Sequence, residues 1–308
     1  MVGPTATGKS DLAVELALHL DAEVVSADAM QLYRGMDIGT AKLTLDQRRG
    51  VPHHQLDVLD VTEEASLAAY QRSARADIDA VRRGGRVAVL AGGSGLYVRA
   101  ALDALDIPPT DPVVRGQVEQ RLGEIGAAAL HEELALADPV AAQSILPSNG
   151  RRIVRALEVI ELTGRPFSAA LPTPSYAVPT IQIGLRLERE LLDRRTDARV
   201  QRMWEQGFVA EVAALEANGL RAGRTASRAV GYAQVLAALD GRSSLDQARV
   251  QTAQATRRLI RRQESWFGRD QRISWLHAEA DDLVEQAVRA VAEQAGRLGD
   301  PAAGGVGG

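Results

Sequence analysis

Residues 3–10 read GPTATGKS, and the fold turns on them. The stretch fits G-x-x-x-x-G-K-[ST], a loop whose glycines let backbone N–H groups converge on phosphate oxygens. Its lysine adds a mobile cation and its last hydroxyl suits a hard divalent ion. Leu12, Leu16 and Leu20 follow at one-turn spacing, so a helix starts at the loop and turns its positive dipole end back into it. Gly3, Pro4, Thr5, Ala6, Thr7, Gly8, Lys9 and Ser10 therefore read as a cradle for a di- or triphosphate, with Ser10 as the Mg²⁺ ligand. Such a loop normally follows a buried strand, yet only Met1 and Val2 precede it. The first sheet strand reads as truncated. The expectation is that the natural protein begins upstream, and that without that strand the cradle is short of rigid support.

Outward from the loop, apolar stretches rich in β-branched residues mark parallel strands at 23–28 (EVVSAD), 54–60 (HQLDVLD), 86–93 (RVAVLAGG) and 180–187 (TIQIGLRL), with a short ISWL at 273–276. Helix-period segments lie between the early strands, including 67–81 before RRGG. This alternation predicts an α/β fold, a phosphate-loop-type parallel sheet flanked by helices. From 108 to 176 the pattern is helix after helix. Asp111 is placed to cap one helix with Pro112 at its first position, and a second helix runs from a Ser148 or Asn149 cap to a stop at Gly164. The predicted organisation is a core over 1–107, an all-helical insertion over 108–176, the rest of the core with C-terminal helices over 177–300, and a disordered tail over 301–308.

Composition narrows the function classes. The chain has 308 residues, 45% hydrophobic and 25% charged, and no cysteine, which excludes disulfides and cysteine-held metals. No apolar run is long enough to cross a membrane and no signal segment opens the chain, so a cytoplasmic protein is expected. The net charge of −4 does not announce a nucleic-acid binder; such binding must come from local patches. Of 36 basic residues only Lys9 and Lys42 are lysines. Codon bias explains most of the arginine excess, but at Lys9 a compact ammonium suits a phosphate loop.

Asp28 ends a strand at the carboxyl edge, where open α/β sheets place ligands. A carboxylate there can bind Mg²⁺ through water, take a proton from an acceptor, or cap the next helix. The strand over 86–93 is followed by Ser94, a hydroxyl beside two glycines. His53 and His54 precede a strand and read as structural.

The segment DAMQLYRGMDIGTAK (28–42), with GPTATGKS, GGSGLY (92–97), RAVGYAQ (228–234) and ATRRLIRRQESWF (255–267), closely resembles the tRNA dimethylallyltransferases. The resemblance runs in order from Gly3 to about Leu276. It implies transfer of a dimethylallyl group from its diphosphate to the exocyclic amine of the adenine 3′ of the tRNA anticodon, with release of diphosphate. Lys9, the loop amides and Mg²⁺ would stabilise the leaving diphosphate, Asp28 would be the general base, and Ser94 would position the adenine. The resemblance places Ala29, Met30 and Gln31 beside the target base, and tRNA contacts at Arg115, Arg151, Arg152, Ile153, Val154, Arg155, Arg257 and Arg261. It leaves open whether Arg195 or Arg228 reaches the diphosphate or RNA, and it suggests a monomer. Ala233 stands where many members carry arginine, so one tRNA contact is open to question.

Read without segment 28–42, the same parts describe a small-molecule kinase with Asp28 as base. An adenylate isopentenyltransferase shares the chemistry but acts on a free nucleotide, and the long insertion and arginine-bearing helices favour a large RNA instead. A non-catalytic RNA-binding module is disfavoured by an aromatic content of 4%.

Overall fold

The computed structural model describes residues 1–170 and 175–299. The expected disordered tail, 301–308, lies outside the described residues. The chain divides into two units, one made of 1–102 with 179–299 and the other of Asp103–Val178.

In the first unit, β1 (Ala22–Ser26) lies between β2 (His53–His54) and β3 (Val87–Ala91), all parallel. A second parallel pair is formed by β4 (Gln182–Arg186) and β5 (Ile273–His277). Met1 and Val2 occupy the gap between these two groups. The Met1 amino group donates to the Leu90 carbonyl at 2.8 Å, and Gly92 N donates to Met1 O at 3.1 Å. On the other side, Val2 N donates to Ile183 O at 2.9 Å and Leu185 N donates to Val2 O at 3.0 Å. The support expected to be missing is thus present over two residues, which join the strands into one series. Gly3 leaves this stub with φ 128°, and a Cβ there would meet the Leu185 carbonyl oxygen at 2.5 Å, so only glycine makes the exit.

Burial of β1 along its whole length is what a parallel strand covered on both faces requires. Helices α1 (Lys9–Leu20) and α2 (Leu67–Arg83) both pack on β1 and β3, and α3 (Gly95–Leu102) lies beside α2. The strand expected over 54–60 is not formed. Gln55 and Asp57 take φ of 59° and 57°, so pairing ends at His54, apart from a lone bridge between Tyr33 and Leu59.

The second unit holds α4 (Pro112–Ala137), α5 (Pro139–Ser144) and α6 (Gly150–Thr163). The Asp111 side chain accepts from Val113 N and Val114 N, Asn149 accepts from Arg152 N, and Gly164 ends α6 in the left-handed region, as the sequence predicts. Gly126, with φ 81°, kinks α4, which the sequence did not foretell. Val118, Leu130, Leu134, Ile153, Val154 and Leu157 form this unit's own core.

The first unit continues with α7 (Arg189–Glu205), α8 (Phe208–Ala217), α9 (Tyr232–Leu239), α10 (Leu245–Phe267) and α11 (Leu283–Gly299). Leu283, Val288 and Val291 of α11 join α1, β4 and β5 in one cluster. Phe208, Val212, Tyr232 and Val235 join Tyr33 and Met36 in another. That second cluster anchors the segment after β1, and so builds one wall of the pocket described next. Among the described residues no helix is long and apolar enough to cross a membrane.

Candidate active site

A pocket of about 750 Å³ opens at the carboxyl ends of β1 and β3, within the first unit. The phosphate-loop residues Thr5, Ala6, Gly8, Lys9 and Ser10 line one side. Gly8 caps α1 and no side chain caps the helix, which leaves its first amides available to an anion. The loop is internally braced, with Thr7 Oγ1 and Lys9 Nζ donating to the Pro4 carbonyl at 2.9 and 2.6 Å.

Among the described residues Lys9 has no carboxylate within ion-pair distance. Burial, and after it the Arg199 charge, bring its ammonium from 10.5 down to about 7, while Asp28 pulls the other way. Arg195, Arg199 and Arg202 of α7, at one-turn spacing, line the opposite wall. The Arg199 guanidinium donates to the Thr40 carbonyl at 3.2 Å, and burial holds it below the usual guanidinium range. Desolvated cations of this kind favour a polyanionic ligand, whose arrival relieves their burial and mutual repulsion.

Asp28 lies on the pocket rim beside these cations. Its Oδ1 accepts from Met30 N at 2.9 Å and so closes a local turn; residues 29–66 form no helix, and the helix-capping role weighed from sequence is not formed. That single bond fixes the carboxylate without using its second oxygen, for which the described residues supply no hydrogen-bond donor. Ser94 Oγ accepts from Ala29 N at 3.3 Å, which places the hydroxyl next to Asp28 at the same edge. Gln31 also lines the pocket, accepting from Ser26 Oγ and donating to Thr40 O. Below this edge Tyr70 and Tyr97 stack with ring centroids 4.5 Å apart, and burial pushes the Tyr97 hydroxyl up to about 12.

The wall over 37–43 is held by two charged groups that the sequence did not single out for this job. Lys42, with 3% of its side chain exposed, donates to Tyr33 O at 2.9 Å and to Asp37 Oδ1 and Asp57 Oδ1 at 2.6 Å each. Glu211 accepts from the consecutive amides of Asp37, Ile38 and Gly39 at 3.1, 2.7 and 3.2 Å, and from the Tyr232 hydroxyl at 2.6 Å. No local pattern marks Glu211, because the three amides that it holds lie more than 170 residues away.

The expected RNA-contacting residues divide by partner. Arg151 and Arg152 are exposed, with no partner among the described residues. Arg155 instead donates to Glu158 Oε2 at 2.9 Å and to the carbonyls of Pro109 and Pro108 at 3.0 and 2.8 Å. Ile153 and Val154 are buried in the helical core, so their side chains face away from solvent and serve to seat the neighbouring arginines. Arg115 pairs with Glu119 at 3.3 Å, and Arg257 with Asp197 and Asp193. Arg258, Arg261 and Arg262 form an exposed, unpaired face of α10 among the described residues. Arg228 is exposed and is not among the residues lining the pocket, whereas Arg195 is one of them. His54 Nε2 meets Glu23 at 2.5 Å and His53 Nδ1 meets Val51 O at 2.8 Å, the structural role read from sequence.

Among the described residues no cluster of three or more His, Asp or Glu could hold a metal by itself. Ser10, Asp11 and Asp28 nevertheless line one pocket with hard oxygens, a set that fits Mg²⁺ shared with phosphate oxygens and water.

Known proteins resemble this chain over most of its length. The family model described as IPP transferase matches residues 31–270. The chain is 62% identical to the tRNA dimethylallyltransferase of Streptomyces avermitilis over 285 residues, 92% of this chain and 91% of that protein. It is 60% identical to that of Thermobifida fusca over 298 residues, 95% of this chain and 93% of that protein. The crystal structure of the full-length tRNA isopentenylpyrophosphate transferase from Bacillus halodurans superposes with a TM-score of 0.70 at 37% identity, covering 96% of this chain and 97% of that one. A eukaryotic dimethylallyltransferase acting on tRNA shares the fold, with a TM-score of 0.80 at 23% identity over 95% of this chain and 77% of that one. The chain belongs to the IPP transferase family, whose members named here are tRNA dimethylallyltransferases.

Proposed function

We propose that this chain transfers the dimethylallyl group of dimethylallyl diphosphate to the exocyclic amine of the adenine 3′ of the tRNA anticodon, releasing diphosphate. The observation that carries the reading is the pocket: an unneutralised Lys9 at an uncapped helix start, three arginines opposite, and a carboxylate at the rim. A pocket so furnished suits a reaction that begins with one polyanion bound and ends with that polyanion as leaving group.

In this reading the amine nitrogen forms a bond to C1 of the dimethylallyl group while the C1–O bond to diphosphate breaks, its electron pair leaving with the diphosphate. The N–H proton passes to Asp28, whose Oδ1 is already occupied by Met30 N and whose other oxygen takes it. Lys9, Arg195, Arg199 and the amides at the start of α1 hold the departing charge. Ser94 and Gln31 orient the adenine, which must leave the loop stack to reach this edge. Ser10 would hold Mg²⁺ together with the diphosphate, and the ion would supply further neutralisation of the leaving group. Arg151, Arg152 and the exposed arginines of α10 are suited to phosphates of the anticodon stem-loop. A monomeric, cytoplasmic enzyme suits this substrate pair.

The test is incubation with labelled dimethylallyl diphosphate and either unmodified tRNA or AMP. Label in tRNA alone supports the reading. Label in AMP alone, or ATP-dependent phosphorylation without prenyl transfer, overturns it.

A further inference from the structure

We propose that Gln263 is a positioning residue that clamps the phosphate loop to the end of β3. The inference rests on the reading of the pocket as a diphosphate site. Gln263 lies on the inner side of α10 and is 9% exposed. Its Oε1 accepts from the Thr5 amide at 2.9 Å, and its Nε2 donates to the Gly93 carbonyl at 3.0 Å. Thr5 is 258 residues away in sequence and Gly93 is 170 away, so one side-chain amide ties three distant segments together.

The loop has little else to hold it. Ladder hydrogen bonds stop at Val2, and among the described residues the other bonds from Gly3 to Gly8 are internal ones to the Pro4 carbonyl and the Leu12 N–H donating to the Gly8 carbonyl at 3.1 Å. The glutamine amide suits the task because its carbonyl oxygen accepts at one side while its NH2 donates at the other. Gly93 completes the fit: a Cβ there would lie 2.4 Å from Gln263 Nε2. The next residue is Ser94, whose Oγ accepts from the amide after Asp28. Through this chain of contacts Gln263 sets the position of the phosphate loop against the edge where the proton is taken. Gln263 itself lines the pocket, but both ends of its amide are engaged by backbone groups, so in this scheme it acts through the backbone it holds.

The experiment measures steady-state transfer of label from dimethylallyl diphosphate to unmodified tRNA by wild type, Gln263→Met, Gly93→Ala and the double variant, with melting temperatures taken in parallel. Gln263→Met keeps the shape and removes both bonds; Gly93→Ala displaces the amide from the other side. Each single change is expected to raise KM for the diphosphate about tenfold and lower kcat, with KM for tRNA within about twofold of wild type. The double variant is expected to be no worse than the poorer single one, because both changes remove one shared interaction. Should Gln263→Met not fold, Gly93→Ala reads the same clamp alone. A diphosphate KM within about twofold of wild type in a folded single variant, or losses that simply add, overturns the inference. If wild type itself transfers no label, the proposed function falls and this inference with it; an active wild type beside an unaffected Gln263→Met removes this inference alone.

Discussion

The chain has two lysines, and they sit in two regions of one pocket under opposite conditions. Lys42 is sunk in the wall over 37–43 and spends its charge on Asp37, Asp57 and a backbone carbonyl. Lys9 sits in the loop at the floor, bonded only to the Pro4 carbonyl among the described residues and desolvated without a carboxylate partner. The first arrangement satisfies a buried cation and thereby holds a segment in place. The second leaves a half-buried cation without a carboxylate until an anion arrives. The helical unit repeats the contrast with arginines, since Arg155 is locked onto the fully buried Glu158 while Arg151 and Arg152 project to solvent. Lys42 and Arg155 are cations with partners that brace the structure, whereas in the proposed function Lys9, Arg151 and Arg152 await phosphate.

The sharpest way to break the comparison is Lys9→Ala. Removing the loop cation is expected to lower kcat by about 10²- to 10³-fold. Stability should change by less than about 0.5 kcal/mol, or rise, because an uncompensated half-buried charge is gone. Transfer assays and urea melts check both halves. A Lys9→Ala protein that melts early but turns over normally would reverse the roles assigned to the two lysines.

Lys42→Met should do the opposite. It removes the bonds to Tyr33 O, Asp37 and Asp57 but leaves both carboxylates, 56% and 41% exposed, free to hydrate, at an expected loss of about 1–2 kcal/mol in urea unfolding. Activity should fall only as far as the pocket wall loosens, and added osmolyte should recover part of it.

Comparable and smaller effects test the helical unit. Burial raises the Glu158 carboxyl, but the Thr110 hydroxyl, Arg155 and the Asp111 amide outweigh it and hold the group below its ordinary 4.5. Its contribution is therefore complete above about pH 4.5 and fades as pH falls through the lower folded value. Arg155→Ala, which strands this carboxylate, is expected to cost about 2 kcal/mol at pH 7 and to lessen the loss of stability on acidification. Thermal melts between pH 3 and 7 check the sign. Arg151→Ala should leave melting unchanged, weaken tRNA binding, and reduce the slope of log affinity against log salt by about one unit. An unchanged slope would make Arg151 an ordinary solvated side chain.

What was legible in the sequence follows the range of the interactions involved. Asp111, Asn149 and Gly164 were readable as caps because a cap acts on its own neighbours. β1, β3 and β4 were readable from apolar runs, to within two residues at their ends. The strand over 54–60 was misread because its apolar alternation is broken by positive φ at Gln55 and Asp57, positions where nothing in composition forbids extension. At the site, the phosphate loop and Asp28 were visible as motif and strand end. Gln263 and Glu211 were not, since each acquires its role only when distant segments meet, and the pairing of Lys42 with Asp37 and Asp57 depends on how an irregular loop folds back on itself. The same limit applies to the arginines: the resemblance groups Arg151 with Arg155 as RNA contacts, and only the fold shows that Glu158 claims Arg155.

The account stands most directly on Asp28. Purified wild type and Asp28→Asn should be compared for transfer of labelled dimethylallyl from its diphosphate to unmodified tRNA, with tRNA affinity measured alongside. The prediction is a fall in kcat of about 10²- to 10⁴-fold with tRNA affinity within about twofold. Near-wild-type turnover by Asp28→Asn, or label that never enters tRNA with the wild-type protein, would contradict it.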